Sequence, residues 1–318
     1  MTSASTEAPA RTAAASAGRI VLGANQYGKA ECRLVRVTRD TARHEIEDLT
    51  VTTQLRGDFT ACHTEGDNSR VVATDTQKNT VYAFAREHGV HSPEQLLLTL
   101  GEHFVGTFPW VSGGRWEAHQ HAWDRIDVDG RPHDHAFART GREVRTALVQ
   151  RDGEEVFVLS GLTDCTVLKS TGSEFHGFPR DRYTTLVEAT DRILATSVTA
   201  WWRHTPDAVA AGIDWNACYA QVRETLLEAF AGLHSLALQQ TIFTMGKAVL
   251  ERFPGIAEVK LSCPNKHHFA VDLEPFGLDN PGEVFFAADR PYGLIQATVQ
   301  REGAPEEPRA WATVPGFC

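Results

Sequence analysis

ALVQRDGEEVFVL, residues 147–159, is the stretch on which the fold depends. Ala147, Leu148 and Val149 form one apolar strand segment, and residues 156–159 form a second one. Asp152-Gly153 stands between them, and Asp-Gly between two apolar runs is a strong signal for a β-hairpin. We therefore place the boundary between two modules here, at residues 150 and 151.

The first half is predicted to contain two strands, helices and then strands again. Two long strands are expected between about Ile20 and Leu55. Ser92-Pro93-Glu94-Gln95 has the Ser, Pro and Gln spacing of a capping box, which predicts that a helix begins there. Strand character returns from about Val111 to Val128.

The second half repeats this order. Strands are expected around residues 156–167 and 196–203, and again at 259–273 and 284–300. Two helices between these pairs of strands are indicated by apolar residues at helical spacing, with Gly255 after the second: Tyr219, Val222, Leu226 and Phe230, then Leu238, Ile242, Met245 and Val249. This pattern predicts an α+β protein with modules at 19–150 and 151–303. Residues 1–18 are predicted to be a disordered tail and residues 304–318 a C-terminal tail.

The composition excludes several classes of partner. The chain has 318 residues and a formal net charge of −10, which disfavours nucleic acid and anionic membranes as partners. It does not disfavour a small anionic ligand, because that depends on local arginines. No apolar run approaches the ~20 residues that a membrane-spanning helix needs.

Several features predict a cytoplasmic protein. The first 18 residues are rich in Ala, Ser and Thr and lack the apolar segment of a signal peptide. The six cysteines are scattered without a C-x-x-C pair, which is typical of reduced thiols. The sequence ends in GFC and so carries no S-K-L-type peroxisomal signal.

Common cofactor and metal signatures are missing. The sequence contains no G-x-G-x-x-G, no G-x-x-x-x-G-K-[ST] and no G-x-S-x-G. His119-Gln120-His121 and His133-Asp134-His135 could each present two imidazoles on one face of a strand. Neither pair has an obvious third ligand, and 14 histidines will produce such pairs by chance. We therefore expect no metal site and no cofactor.

Three polar stretches each allow a functional and an ordinary interpretation. Lys29 in NQYGKAE could be a solvated turn lysine, and Thr74-Asp75 in VVATDTQKNT could cap a helix. LKSTGSEFHGFPRDRYTTL, which precedes Arg192, could be a structured loop. The local sequence alone leaves these alternatives open.

A fourth stretch, LSCPNKHHF at residues 261–269, interrupts a strand-like pattern with Pro264, Asn265 and Lys266. Because neighbouring side chains on a strand point to opposite faces, only one of His267 and His268 can face a pocket beside Asn265.

Together these stretches resemble the urate oxidase (uricase) family, of the bacterial type. The resemblance is carried in order from about residue 20 to 300 by five segments: YGK at 27–29, VATDTQKNT at 72–80, the segment 162–186 ending in YTTL, DRILAT at 191–196 and PNKHHF at 264–269. One departure is visible, since Asp164 and Cys165 stand just before the VLKS core.

The resemblance implies the tunnelling fold. Two tandem modules of each chain would pair with a second chain in a sixteen-stranded barrel, and two such dimers would stack into a homotetramer with a central tunnel. It also implies the reaction: urate, dioxygen and water give 5-hydroxyisourate and hydrogen peroxide, with no metal or organic cofactor.

The resemblance also implies the roles of the site residues. Urate is planar, electron-rich and anionic, so it needs an aromatic face, a fixed cation and amide groups along its edge. Lys29, Thr74 and His267 are implied to form a proton relay. Urate is implied to be bound by Thr74, Asp75, Phe175, Arg192, Leu238, Gln239 and Asn265. Lys29 and Thr74 would come from one chain, and the residues from Phe175 onwards from its partner.

Two other functions are considered. A zinc-dependent hydrolase of the same fold, acting on a pterin or purine, would need a Cys and His ligand set, and no such set is clear. A non-catalytic purine-binding relative would be expected to have lost Lys29, Thr74 or His267, and all three are present.

Overall fold

A computed structural model describes residues 19–288 and 290–317. The predicted tail at 1–18 lies outside the described residues. Within them, ten strands and seven α-helices occur. The strands are β1 (Tyr27–Thr38), β2 (Glu45–Gly57), β3 (Val111–Val128), β4 (Arg131–Asp152), β5 (Glu155–Lys169), β6 (Leu194–His204), β7 (Ile256–Asn265), β8 (His268–Ala270), β9 (Phe285–Ala287) and β10 (Gly293–Gln300). The helices are α1 (Thr60–Thr64), α2 (Thr74–Glu87), α3 (Pro93–Thr107), α4 (Pro206–Ala211), α5 (Trp215–Gly232), α6 (Leu238–Arg252) and α7 (Pro308–Trp311).

Eight strands form one antiparallel sheet in the order β1-β2-β3-β4-β5-β6-β7-β10. β4 and β5 form the predicted hairpin, but the two turn residues are Gly153 and Glu154, one position beyond Asp152-Gly153, and Gly153 has a φ of 61°. The sheet is continuous across this hairpin. We therefore keep the division into two modules at 150/151 as a proposal about the repeat, because no break in the sheet marks it.

Helices cover one face of the sheet in two groups. Ser92 caps α3 through its side chain, which accepts a hydrogen bond from the Gln95 backbone N–H, and Pro93 is the first helical residue, as predicted. Leu97 and Phe104 of this helix are fully buried in one core with Trp116 of β3. A second core lies beneath α5 and α6 and contains Trp202, Leu226 and Ile242, among others. Burial of each such side chain contributes roughly 1.5–3 kcal/mol.

The C-terminal segment crosses the other face of the sheet. Neighbouring residues of a strand alternate between faces, so Leu148 points away from the core that holds Val149. Ala310 of α7 is fully buried in a small cluster with Leu148. Gln150 Nε2 donates to the carbonyl of Ala310 at 2.7 Å. The predicted tail thus packs on the sheet in this chain.

The strand pair predicted at 259–273 and 284–300 is divided in the structure. β7 and β10 extend the main sheet, whereas β8 and β9 form a separate two-stranded sheet. The strand pattern is interrupted at Lys266–His267, directly after β7, and again before Gly293, where Pro291 has no backbone N–H to donate. α6 ends at Arg252, just before Phe253-Pro254, so Pro254 rather than Gly255 accounts for its end.

Two strands carry the same irregularity. β1 has a bulge between Lys29 and Cys32 where it pairs with β2, and Glu31 has a φ of 56°. β5 has a bulge between Leu162 and Cys165 where it pairs with β6, and Asp164 has a φ of 57°. The departure from the family pattern noted at Asp164-Cys165 is therefore accommodated as one extra residue in a strand.

None of the helices in the described part of the chain is long and apolar enough to cross a bilayer.

Candidate active site

Lys29 lies near the start of β1, opposite Thr53 of β2. Gly28 precedes it at a position where the backbones approach closely. A Cβ added there would stand 1.7 Å from the Thr53 carbonyl oxygen, so no other residue fits without moving β1. Gly28 therefore fixes the position on β1 from which the Lys29 side chain extends.

Three side chains attach the start of α2 to this pair of strands. The Tyr27 hydroxyl donates to the Val72 carbonyl at 3.2 Å, and Gln77 Nε2 donates to the same carbonyl at 3.3 Å. Gln77 is fully buried, and its Oε1 accepts from Thr53 Oγ1 at 2.7 Å. Burial raises the pKa of the Tyr27 hydroxyl, which keeps it a neutral donor.

Thr74 and Asp75 are the first two residues of α2. The cap position is Ala73, which supplies no side-chain hydrogen bond, so the predicted alternative of a Thr or Asp cap is wrong here. The Asp75 carboxylate accepts from Lys78 Nζ at 2.5 Å and from Asn79 Nδ2 at 2.9 Å. The hydrogen bond and charge of Lys78 lower the pKa of Asp75. Its carboxylate is thus bound to its own helix, which leaves the backbone N–H groups of the first turn to face a ligand.

Phe175 and Arg192 meet in the long connection between β5 and β6. Phe175 exchanges backbone hydrogen bonds with Ala189 at 2.8 and 2.9 Å, and the Arg192 N–H donates to the Ser173 carbonyl at 2.8 Å. The Arg192 Cζ atom lies 5.1 Å from the centre of the Phe175 ring. Its Nε is buried and has no partner among the described residues, and burial lowers the pKa of the guanidinium. A buried donor without a partner is suited to a ligand that accepts.

Asn265 and His267 follow at the end of β7. Asn265 pairs with Thr196 of β6 and with Gly293 of β10. Burial lowers the pKa of His267, and the positive charge of Arg192 lowers it further. Both effects favour the neutral imidazole. The neighbouring Lys266 N–H donates to the Ala195 carbonyl at 2.9 Å, three residues after Arg192, which brings the end of β7 to the Arg192 segment.

Leu238 and Gln239 begin α6, whose cap residue, Ala237, makes no side-chain hydrogen bond. Leu238 is buried, and Gln239 is exposed. Ser235, just before the helix, pairs with Ser173, two residues before Phe175. This backbone bridge brings the start of α6 beside Phe175 and Arg192.

The starts of the four longer helices differ in one respect. α3 and α5 are capped by the side chains of Ser92 and Asp214, which accept from backbone N–H groups. α2 and α6 have alanine at the cap and no side-chain bond. The predicted site residues adjoin the two uncapped helices. Uncapped N-termini offer unpaired N–H donors and the positive end of the helix dipole, which suits an anion.

The structure divides the predicted residues into two groups. The β1-edge group consists of Lys29, Thr74 and Asp75, and the β10-edge group consists of Phe175, Arg192, Leu238, Gln239, Asn265 and His267. β1 and β10 are the two edge strands of the eight-stranded sheet. Seven strand spacings of about 4.8 Å separate them, which is about 34 Å along the sheet. A single chain therefore assembles each group but does not join the two.

The histidine pairs have other partners. His121 lies 3.0 Å from Thr50 Oγ1 through Nε2 and 2.8 Å from Arg139 through Nδ1. The rings of His133 and His135 are in edge-to-face contact, with centroids 4.5 Å apart. Across residues 19–288 and 290–317, no three His, Cys, Asp or Glu side chains converge in the way that metal ligands do.

The sequence did not indicate Tyr27, Thr53 or Gln77 as residues of the site, although they hold the β1-edge group together. Tyr27 adjoins Gly28-Lys29 in the sequence, which was an available signal. Thr53 and Gln77 lie 24 residues apart and meet only through the packing of α2 on β2. No local pattern indicates such a contact.

Comparisons with known proteins agree along nearly the whole chain. A family model described as uricase matches residues 25–150 and 158–296. The uricase of Arthrobacter globiformis is 62% identical over 96% of this chain and 99% of its own, and the uricase of Aspergillus flavus is 38% identical over 87% and 96%. The crystal structure of the Arthrobacter globiformis uricase has a TM-score of 0.88 and covers 93% of this chain and 100% of its own. A uricase from Bacillus fastidious, 28% identical, has a TM-score of 0.76 and covers 92% and 98%. These likenesses confirm the tunnelling-fold class; the single chain is an open sheet rather than a closed barrel.

Proposed function

The chain belongs to the uricase family, and from this premise we propose that it is a urate oxidase. Urate, dioxygen and water are converted to 5-hydroxyisourate and hydrogen peroxide. Urate loses two electrons and gains a hydroxyl from water, while dioxygen takes up the two electrons and two protons. The observation that carries the proposal is the position of Arg192 over the Phe175 ring beside the uncapped start of α6, with the Lys266 N–H, next to His267, donating to the Ala195 carbonyl.

The β10-edge group supplies the binding surface. Phe175 stacks on the purine, and the planar fork of Arg192 donates to a carbonyl and a ring nitrogen. The unpartnered Nε of Arg192 supports this role, because a urate oxygen would satisfy it. Gln239 binds the opposite edge of the ring with its amide, and Leu238 contributes its backbone.

The β1-edge group and His267 supply proton transfer. Lys29 lowers the cost of an alkoxide-like Thr74 Oγ1, which takes a proton from the substrate, and His267 passes protons onward. The lowered pKa of His267 supports this role, since a neutral imidazole can accept a proton at neutral pH. Asn265 and Thr74 hold dioxygen and then water over the stacked ring. Backbone N–H groups at Thr74 and Asp75 bind the edge of urate.

The active site is shared between two chains. This part of the proposal is supported by the position of the two groups at opposite edges of one sheet. If β1 of one chain pairs with β10 of the next, two eight-stranded sheets close into a sixteen-stranded barrel with no unpaired edge, which satisfies the hydrogen bonds of both edge strands. Each such junction brings one β1-edge group to one β10-edge group. Two barrels stack into a homotetramer.

The registers also predict how the edges meet. Each residue of the sheet has a paired residue on the next strand. When these pairs are followed from Lys29 on β1 across the sheet, they lead to the region of Ile256 on β7. Asn265 ends the same strand, nine positions beyond Ile256. The two groups meet only if β1 is displaced by about nine residues along the partner's β10. A closed barrel of tilted strands requires such a stagger.

The test is a urate-consumption assay on exhaustively chelated protein. We expect the near-ultraviolet absorbance of urate to fall and peroxide to appear in equal amount. A zinc-dependent hydrolase would lose its activity on chelation and regain it with zinc, without peroxide. Absence of both urate loss and urate binding would overturn the proposal. The cytoplasmic location stays a prediction.

A further inference from the structure

Glu174 stands at the point where two parts of the β10-edge group meet. It precedes Phe175, and its carboxylate bonds two histidines: Oε1 lies 2.5 Å from His234 Nε2, and Oε2 lies 2.8 Å from His176 Nε2. His176 belongs to the same loop as Glu174. His234 belongs to the segment that leads into α6, only five residues before Gln239.

The backbone joins the same two segments. The Glu174 N–H donates to the Ser235 carbonyl at 2.7 Å, and the Ser235 N–H donates to the Gly172 carbonyl at 2.9 Å. These bonds hold the backbones of the two segments side by side, and Lys169, at the end of β5, donates to the Leu233 carbonyl just before His234. The carboxylate–imidazole bond adds a contact between side chains of the two segments. The Glu174 side chain is 20% exposed and that of His234 is 57% exposed, so solvent screens the attraction between them. The pair therefore contributes little to folding stability, and its role is to position the two segments.

We propose that Glu174 and His234 form a clamp that sets the distance between the aromatic and cationic side of the urate pocket and its amide side. On one side of the clamp are Phe175 and Arg192, and on the other is Gln239. A planar substrate is gripped between these sides, so a small change in their separation weakens all of its edge contacts together. Glu174 and His234 are positioning residues, since they act through Phe175 and Gln239. This inference rests on the proposed urate oxidation.

The test compares His234→Ala with His176→Ala. Both substitutions remove one imidazole from the same carboxylate, but only the first breaks the connection between the two segments. We expect His234→Ala to raise KM for urate by about tenfold with kcat reduced no more than about threefold. His176→Ala is expected to keep both constants near those of the wild type. Glu174→Ala should resemble His234→Ala, and Glu174→Gln should recover part of the loss because its amide oxygen can still accept from His234.

A double substitution completes the design. Glu174→Ala with His234→Ala should raise KM little beyond either single change, since both remove the same contact. Equal effects of His234→Ala and His176→Ala, or a loss confined to kcat, would overturn the clamp. Wild-type protein that neither binds nor consumes urate would instead contradict the proposed function. Thermal unfolding of each variant distinguishes a local change from a failure to fold.

Discussion

Lys29 and Thr74 are each positioned by contacts with β1 and β2. Gly28 brings the backbone of β1 against β2, and Gln77 anchors the start of α2 to Thr53, the strand partner of Lys29. Both catalytic candidates are thus fixed to the same two strands. Thr74 lies inside the helix rather than at its cap, so its hydroxyl is not needed to begin α2.

Substitution of these two residues should slow turnover more than it weakens binding. We expect Lys29→Met and Thr74→Ala each to lower kcat by roughly 10²-fold or more, because proton transfer acts mainly in the transition state. The double variant should lose little beyond the worse single variant, since the two act as one unit. Steady-state kinetics with urate measures this, and multiplicative losses in the double variant would contradict a joint relay.

Single residues also show which parts of the site a sequence can indicate. Some candidate site residues lie in short contiguous motifs, namely Tyr27 to Lys29 and Pro264 to Phe269. Such residues can be recognised from the sequence, because they are neighbours in it. Gln77 and the Glu174–His234 pair depend on contacts between segments 24 and 60 residues apart. Their geometry follows from packing, for which the sequence carries no short-range signal.

At the scale of elements, turn and cap signals were the most informative. The Ser92 cap, the Asp152-Gly153 hairpin and the span of β3 all follow from local rules, and the structure agrees with them. The separation of β8 and β9 from the main sheet does not follow in the same way. Apolar strands look alike in sequence whichever sheet they join, and the choice of partner is a tertiary property.

Gly28→Ala tests the placement of β1. The added methyl would stand 1.7 Å from the Thr53 carbonyl oxygen, so β1 must move away from β2. We expect a loss of stability of about 1–3 kcal/mol or more, as for other overpacked sites, together with loss of activity. Gly23→Ala is the matched control, because no atom lies within 4 Å of a Cβ there. Denaturant unfolding and urate turnover are measured for both. Wild-type behaviour of Gly28→Ala would show that the close approach is not required.

At the scale of the whole molecule, a buried polar network joins the first and second halves. His204 Nε2 lies 3.0 Å from Ser160 Oγ, which donates to the Glu94 carboxylate at 2.7 Å. The other Glu94 oxygen pairs with Arg145 at 2.7 Å. Burial lowers the pKa of His204 from 6.5 to about 4. Buried in this network, His204 therefore stays neutral at pH values well below 6.5.

Acid should destabilise the protein through His204. The unfolded chain takes up a proton as the pH falls below 6.5, whereas the folded chain does so only near 4, so stability decreases between these values. The loss amounts to about 2 kcal/mol by pH 5. We expect the drop in unfolding midpoint between pH 7 and pH 5, at fixed protein concentration, to be smaller in His204→Gln than in the wild type. His91→Gln, at an exposed histidine, should keep the wild-type drop. An unchanged drop in His204→Gln would assign acid sensitivity elsewhere.

A site shared between two chains, as proposed, predicts that two inactive variants rescue each other. In a mixed dimer of Lys29→Met and His267→Ala chains, one site carries both substitutions and the other carries neither. Random pairing of equal amounts gives half mixed dimers, each with one intact site of two, so activity should approach about a quarter of the wild type. Co-expression or joint refolding is used so that chains of the two variants assemble together. Mixed oligomers with no activity above either parent would mean that each site is built within one chain.

The matching bulges of β1 and β5 would be explained if the two proposed modules arose from a one-module ancestor. When the two strands are aligned on their bulges, Cys32 corresponds to Cys165, and Lys29 corresponds to Leu162, a fully enclosed aliphatic residue. Four copies of such an ancestor would close into a ring with four equivalent junctions. Fusion of the copies in pairs makes two of these junctions covalent, at the β4–β5 hairpin, and leaves two between chains.

In that case, the covalent junctions would not need to keep a binding site. Glu94 is the second residue of α3, as Gln239 is of α6, yet its carboxylate is occupied by Arg145 and Ser160. The helix starts at this junction are closed by Ser92 and Asp214. The place that such a repeat would give to a second purine pocket is filled here by these internal contacts. Only the two junctions between chains would then carry a catalytic centre, and the α3–α5 junction would hold each chain together.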